Sequence, residues 1–245
     1  IHVCGASNSR EILEEIINDC GDPYEIIEYK RRIPLEVQDK AFNYNEVEEG
    51  DAIVVFSKKR VLELAEEYSS KGIKASLIYG DLPPEVRRKQ YEQFVNKETK
   101  ILITTDAIGM GVNLPIRRII FLSVKKFDGE EVRFLTSQEV KQIAGRAGRQ
   151  GIYDVGYVVS VGNNAEVIKD KLIREDKIIT EAVIGPSDAI LRIKTLPLIE
   201  KLALWSTRKE ALPYYRKMDI SDYIIVLDRL KKYRLRETIE WSLLK

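Results

Sequence analysis

The chain has 245 residues, of which 44% are hydrophobic and 32% are charged, so it can bury a core and remain soluble. Its two cysteines, Cys4 and Cys20, and its only histidine, His2, exclude a disulfide framework, a zinc site and most histidine-based catalysis. The net charge of +1 divides into −4 over residues 1–185 and +5 from residue 186 onward (13 Lys and Arg against 8 Asp and Glu), which weakly favours a polyanionic partner.

Targeting signals are not evident in this sequence. No apolar run reaches the ~18 residues that a membrane span requires, and no signal peptide is recognisable. We therefore expect no membrane partner and an intracellular location, cytoplasmic with mitochondrial as the alternative. The first residue is Ile1 rather than methionine, so we expect the sequence to be a piece of a longer chain.

The N-terminal third gives mixed signals. Short apolar runs predict strands at residues 1–4 and 24–29, and an amphipathic pattern with a Ser-Asn-Ser cap region predicts a helix over residues 8–20. Residues 35–50 are predicted to be partly helical.

A regular alternation of strands and helices begins at residue 52. Apolar runs predict strands at residues 52–56, 75–79, 101–104, 118–123 and 153–161. Amphipathic patterns predict helices at residues 58–71 and 83–95, and another from residue 136. This order predicts an α/β fold, a parallel sheet with helices on both faces. From about residue 188 only helical patterns continue. We predict an α/β domain over residues 1–185 and the start of a small all-α region over residues 186–245.

Residues 136–151 carry the most distinctive pattern. Thr136 and Glu139 have the spacing of a capping box and predict the start of a helix. Apolar residues at i, i+3, i+4 and i+7 predict one buried stripe, formed by Val140, Ile143, Ala144 and Ala147.

The opposite face of this predicted helix presents Gln142, Arg146 and Arg149. Two guanidiniums directed at one point suit an anion with several oxygens, because arginine bonds phosphate through two parallel donors and keeps its charge. Gly145 and Gly148 each cost about 1 kcal/mol in a helix, which indicates close approach to the backbone. A solvated basic face is the alternative.

Three further segments lie just beyond strand ends, where ligands bind in parallel sheets. Ser57 and Lys58 stand at a helix N-terminus, whose free N–H groups favour phosphate. Gly80 and Thr105 follow the next two strands. Each segment alone is also compatible with an ordinary cap or turn, but together they predict one functional edge. No second carboxylate stands near Asp106 in the sequence, so a metal site is not predicted.

These motifs resemble those of superfamily 2 helicases. Residues 57–59 (Ser-Lys-Lys), 104–114 (Thr-Thr-Asp-Ala-Ile-Gly-Met-Gly-Val-Asn-Leu) and 142–149 (Gln-Ile-Ala-Gly-Arg-Ala-Gly-Arg) are similar in order and spacing to motifs IV, V and VI of the second RecA-like domain. Residues 105–111 and 1–5 resemble in particular the ATP-dependent RNA helicases of the mitochondrial degradosome and their bacterial relatives. The resemblance covers residues 1–185 well and the remainder only in outline.

The resemblance implies a role for each matching residue. Arg146 and Arg149 correspond to arginines that reach the γ-phosphate of ATP, and Gln142 to the residue that orients them. Two positions correspond to the nucleotide side of the cleft, Gly111 and Asn113. Four correspond to contacts with the nucleic-acid backbone, Ser57, Lys58, Gly80 and Thr105. The implied partners are RNA, single-stranded or as a duplex with an overhang, and an exoribonuclease. The implied direction of unwinding is 3′ to 5′.

A hairpin is predicted between the last two motifs. Asp128 and Gly129 form a typical hairpin turn between short flanks. Related helicases separate duplex strands with a hairpin here, so Phe127 or Phe134 is a candidate stacking wedge. The alternative is that both aromatic rings pack on the domain.

The sequence departs from the family in one respect. It contains no Gly-Lys dipeptide, hence no P-loop, and no Asp-Glu dipeptide, hence no DExH box. ATP and Mg²⁺ would be bound mainly by a first RecA-like domain absent here, so we expect the chain alone to be inactive. A DNA helicase or translocase and a non-catalytic nucleic-acid-binding module remain alternatives to an RNA helicase.

Overall fold

The computed structural model describes residues 1–109, 113–210 and 212–245. They form two compact units. One is Ile27–Asp176, and the other combines Ile1–Ile26 with Lys177–Lys245. This division differs from the predicted boundary at 185/186, because the first 26 residues belong to the same unit as the C-terminal region. The domain assignment itself stays a prediction.

The secondary structure follows the predicted alternation from residue 51 onward. The helices are α1 (Arg10–Cys20), α2 (Lys58–Ser70), α3 (Pro84–Val95), α4 (Ser137–Ala144), α5 (Ala165–Ile173), α6 (Leu198–Thr207), α7 (Ser221–Leu230) and α8 (Glu237–Leu244). The strands are β1 (Leu35–Val37), β2 (Asp51–Val54), β3 (Ala75–Ile78), β4 (Ile101–Thr104), β5 (Arg118–Phe121), β6 (Lys125–Phe127), β7 (Val132–Phe134), β8 (Gly156–Ser160), β9 (Ala182–Ile184) and β10 (Tyr215–Lys217).

The unit Ile27–Asp176 is built on a parallel sheet of six strands in the order β1-β8-β5-β2-β4-β3. Successive residues of β2 enter different cores. Ala52 and Val54 belong to one, with apolar residues of α3, α4 and α5, whereas Ile53 belongs to the other, with those of α2. The sheet is therefore covered on both faces, which confirms the predicted α/β class and explains its near-continuous apolar strands.

The register of the central strands places their carboxyl ends at one level. Val54 is paired with Thr104 on one side and with Phe121 on the other, and Thr104 is paired with Ile78. The residues that follow β2, β3 and β4 therefore meet at one edge of the sheet, as the sequence predicts.

A buried ion pair joins β2 and β5 at the opposite, amino-terminal edge. Arg118 donates to the carboxylate of Asp51 through Nε at 2.8 Å and Nη2 at 2.6 Å, and Asp51 is fully buried. The backbone N–H of Glu48 donates to the same carboxylate at 2.7 Å. These bonds satisfy a charge that would otherwise be costly in the core. Asp51 and Arg118 are thus committed to structure.

The predictions for the N-terminal segment are partly wrong. The helix predicted at residues 8–20 is present as a 3-10 turn followed by α1. Residues 1–4 and 24–29 are exposed and form no strand, and residues 35–50 contain β1 rather than a helix. A short apolar run becomes a strand only when a neighbouring strand pairs with it. Residues 35–37 have that partner, since β1 pairs with β8.

The second unit is mainly helical. α6, α7 and α8 share a small core that includes Leu202, Leu227 and Trp241. Lys201 is almost fully buried and donates to Glu237 at the start of α8, which links two helices through a charged contact. The unit also contains a short parallel pair, β9 with β10, that the sequence analysis did not predict.

Candidate functional site

The carboxyl edge of the sheet carries a cleft of about 540 Å³, which we call the strand-end cleft. It is lined by Ser57, Lys58, Gly80 and Thr105, so the structure brings together all four residues that the sequence assigns to nucleic-acid binding. Lys126 and Gln142 also line it.

The four residues contribute different chemistry. Ser57 is the N-cap of α2, and its Oγ accepts the N–H of Arg60 at 3.2 Å, so the positive end of the helix lies at the cleft. Lys58 is exposed, with its Nζ 5.2 Å from the centre of the Tyr79 ring. Thr105 is mostly buried, and its Oγ1 accepts the N–H of Ala107 at 3.3 Å. An ammonium and a helix N-terminus together can bind a phosphate.

Gly80 leaves open space in this cleft. A Cβ atom built on it would meet no atom within 4 Å. Glycine is therefore not required there by packing within the chain, and its small size lets a ligand approach the backbone.

The arginines lie beyond a helix rather than on it. The predicted helix continues through residue 149, but α4 ends at Ala144 and Gly145 is its C-cap. Arg146 and Arg149 therefore belong to the following turn, residues 145–150, which we call the arginine turn. The capping box of Thr136 and Glu139 is confirmed. So is the buried stripe, Val140, Ile143, Ala144 and Ala147, although its last member is outside the helix.

Gly148 explains why the chain leaves the helical path. Its φ is +76°, in the left-handed region where glycine is favoured. A Cβ atom there would come within 2.8 Å of the backbone nitrogen of Gly156 and 2.6 Å of the Ile33 side chain. The close approach that the sequence indicated is thus made by β8 and by residues preceding β1.

The arginine turn lines a second hollow of about 340 Å³, the arginine hollow. Arg149 donates through Nη1 to the carbonyl of Asn113 at 3.1 Å, and Arg146 donates through Nη2 to the carbonyl of Gly109. Both guanidiniums are partly exposed and, with Asn113, line the hollow. Gly111, the other predicted nucleotide contact, lies outside the described residues.

Gln142 is exposed and lines the strand-end cleft rather than the arginine hollow. Its Cβ lies 3.7 Å from the position that a Cβ atom on Gly109 would occupy. Its predicted role in orienting the arginines stays a prediction.

The predicted hairpin is present as β6 and β7, paired antiparallel. One face presents Phe127 and Phe134, which are 61% and 51% exposed. Lys125 lies opposite Phe134, and its Nζ is 4.6 Å from the ring centre. These exposures do not fit the alternative in which both rings pack on the domain.

The other face of the hairpin is bonded to α4 through Glu139. Arg133 donates two hydrogen bonds to this carboxylate, at 2.9 and 3.0 Å, and Lys126 forms a 2.7 Å ion pair with it. Partial burial raises the pKa of Glu139, but bonds from Arg133, Lys126 and the Thr136 N–H outweigh it and lower the pKa to about 2. We call these three side chains, Lys126, Arg133 and Glu139, the hairpin anchor. The sequence analysis missed it, although Lys126 and Arg133 share one face of the predicted hairpin.

Metal-ligand clusters and membrane-spanning helices are both absent from the described residues. Among them no group of three His, Cys, Asp or Glu side chains could hold a metal ion. None of the helices in the described part of the chain is long and apolar enough to cross a membrane.

Comparisons with known proteins agree on one family. Residues 34–151 match the helicase conserved C-terminal domain. The chain is 36% identical over 197 residues to the ATP-dependent RNA helicase SUV3, mitochondrial, of Candida albicans. This match covers 78% of this chain and 27% of that protein. It is 42% identical over 163 residues to the ATP-dependent RNA helicase SUV3L, mitochondrial, of Oryza sativa, covering 64% of this chain and 22% of that protein.

The chain thus spans about a quarter of the length of these relatives. Among solved structures, the C-terminal domain of the DEAD-box protein Dbp5 matches with a TM-score of 0.42 and 20% identity, covering 57% of this chain and 81% of that chain.

Proposed function

We propose that the chain, which carries the C-terminal RecA-like domain of a superfamily 2 helicase, is one half of an ATP-dependent RNA helicase that unwinds 3′ to 5′. In this proposal Arg146 and Arg149 are the arginine fingers for ATP held against a first RecA-like domain. Ser57, Lys58, Gly80 and Thr105 contact the RNA backbone. Because these contacts are to phosphate and sugar, binding depends little on sequence and strongly on salt.

One observation carries the proposal. The segment after β4 contributes to both sites, since Thr105 lines the strand-end cleft and Asn113 lines the arginine hollow. The two arginines are bonded to carbonyls of this same segment, those of Gly109 and Asn113. We propose that a shift of this segment links the two sites, as coupling of nucleotide hydrolysis to movement along RNA requires.

The arginine hollow fits the phosphates of a nucleotide. Two guanidiniums supply planar forks of N–H donors that match phosphate oxygens. When charge develops on the transferred phosphoryl group, Arg146 and Arg149 neutralise it, an effect worth roughly 10³–10⁵ in rate. In this proposal Mg²⁺ is bound mainly by the first RecA-like domain, as the family resemblance implies.

From the missing P-loop we propose that this chain alone does not hydrolyse ATP. A phosphate-release assay checks this. Turnover by the isolated chain that disappears in the Arg149→Ala variant would contradict the proposal.

The function itself is tested by ATP turnover of the full-length protein with single-stranded RNA, single-stranded DNA or neither. Stimulation by RNA alone supports the RNA helicase. Equal stimulation by DNA favours a general translocase, and no turnover favours a binding module. Duplexes with a 3′ or a 5′ overhang determine the direction of unwinding.

The Gly80→Ala variant adds a local test of RNA contact. Because a Cβ atom there meets nothing within the chain, the melting temperature should stay unchanged. RNA affinity should fall several-fold, since the methyl group occupies space in the strand-end cleft. Unchanged affinity would exclude a close backbone contact at this position.

Location and partners follow from the relatives. Both reported relatives are named as mitochondrial, so the cytoplasmic expectation has no support and we propose a mitochondrial setting. An exoribonuclease remains the partner that the resemblance implies. Its stable co-purification with the full-length protein would support that role.

A further inference from the structure

We propose that Arg31 is a positioning residue for Arg146 and Arg149, an inference that rests on the proposed function. Arg31 lies 114 residues before the arginine turn in the sequence. It lies in none of the helicase motifs, and the sequence analysis did not single it out.

The guanidinium of Arg31 bonds the backbone on both sides of Arg146. Its Nη1 donates to the carbonyl of Gly145 at 2.6 Å, and its Nη2 donates to the carbonyl of Ala147. Gly145 immediately precedes Arg146 and Ala147 immediately follows it. The two bonds therefore hold the peptide unit directly before Arg146 and the peptide unit that follows Ala147.

These two carbonyls need an external donor. The backbone bonds of the turn use other acceptors, since the N–H of Arg146 bonds the carbonyl of Ile143 at 3.1 Å and that of Ala147 bonds Ala144 at 3.0 Å. Carbonyls just beyond a helix C-terminus lack helical partners and carry partial negative charge, which a cation stabilises. Arginine alone among side chains offers two parallel donors for two acceptors.

Arg31 completes the support of the turn. On the other side, Arg146 bonds Gly109, and the N–H of Gly148 bonds the carbonyl of Ile116 at 2.8 Å. Arg31 thus bonds the turn from the segment before β1, in addition to the bonds that the turn makes with Gly109, Ile116 and α4. Arg31 is exposed as a whole residue, and the partial burial of its guanidinium at these contacts lowers its pKa.

The expected consequence concerns the rate rather than the affinity. In the part of the chain that the structure describes, the hydrogen bonds of Arg31 go to two backbone carbonyls, so its loss is expected to alter where the arginines lie without removing a ligand contact. A displacement of about 1 Å costs on the order of 100-fold in rate. We expect Arg31→Ala in the full-length protein to lower kcat on the order of 10- to 100-fold, with KM for ATP changed less than about threefold.

Two variants serve as controls. Arg31→Lys should recover part of kcat, because one ammonium can bond one of the two carbonyls. Arg32→Ala removes an adjacent exposed cation and should leave kcat unchanged. A large KM increase in Arg31→Ala with kcat unchanged would overturn the proposal, because it would indicate direct ligand binding.

Hydrogen exchange of the 245-residue chain separates this inference from the proposed function. In Arg31→Ala the amides of Ala147 and Gly148 should exchange on the order of tenfold faster, while core amides of β4 stay protected. Unchanged exchange at both amides would overturn the positioning role. Turnover that survives loss of Arg146 and Arg149 would instead contradict the proposed function, whatever the exchange shows.

Discussion

The Glu139→Gln variant tests whether one carboxylate holds the hairpin on α4. Glutamine keeps the size of the side chain but removes the charge bonded by Lys126 and Arg133. It also weakens the capping box, in which Glu139 accepts the N–H of Thr136 at 2.7 Å. Both effects lower the stability of the unit Ile27–Asp176.

The magnitude follows from the contacts and their exposure. Hydrogen bonds to charged groups contribute about 1.5–3 kcal/mol each. The Glu139 side chain is 20% exposed and its partner Arg133 31%, so solvent screens part of this energy. We expect a loss of about 2 kcal/mol in the free energy of unfolding at pH 7.

The pH dependence has a definite sign. In the folded state the pKa of Glu139 is lowered from 4.5 to about 2. Its contribution to stability is therefore fully present above pH 4.5 and is lost as the pH falls towards 2. The difference between the wild type and Glu139→Gln should be largest at pH 7 and should shrink below pH 4.5.

Urea unfolding at pH 7, 4 and 3 measures this difference. The only two tryptophans, Trp205 and Trp241, both lie in the other unit, so their fluorescence gives an internal control that should not change. Far-UV circular dichroism should show the earlier transition of the variant. An equal loss at all three pH values, or none at pH 7, would refute the argument from the hairpin anchor.

Three further predictions concern the arginine turn, the strand-end cleft and the hairpin. Gly148→Ala would place a Cβ atom on a left-handed backbone and against Ile33 and Gly156, so calorimetry should show a loss of about 3 kcal/mol in the free energy of unfolding. An unchanged melting temperature would contradict this prediction. Lys58→Ala should weaken RNA binding and reduce the slope of log K against log salt concentration by about 0.7. The control is Lys59→Ala, whose ammonium lies 3.9 Å from Glu63 and which should change neither quantity. Equal effects of the two variants would refute the assignment of Lys58 to RNA binding. Replacing Phe127 and Phe134 by serine should abolish unwinding but preserve RNA-stimulated ATP turnover; retained unwinding would exclude the wedge.

Much of the fold could be predicted because buried strands carry a local signal. All residues of β4 are fully buried, and the apolar run in the sequence predicts a strand over residues 101–104, the same bounds that the structure has. The convergence of Ser57, Gly80 and Thr105 follows from the general geometry of parallel sheets rather than from any one motif.

The end of α4 could not be predicted in the same way. The apolar period continues to Ala147, which is buried, so periodicity alone extends the helix by one turn. The left-handed φ of Gly148 depends on its contacts with Ile33 and Gly156, which are distant in sequence. Arg31 was missed for the same reason, since its partners are backbone carbonyls and leave no pattern of side chains.

In the proposed function, Arg146 and Arg149 act on the phosphates of ATP. The most direct test measures RNA-stimulated turnover and ATP affinity of the full-length protein with Arg146→Ala and Arg149→Ala in turn. We expect turnover to fall roughly 10³-fold or more in each variant, while both variants still bind ATP. Turnover within about threefold of the wild type in both variants would contradict the claim and favour a module that binds nucleic acid without catalysis.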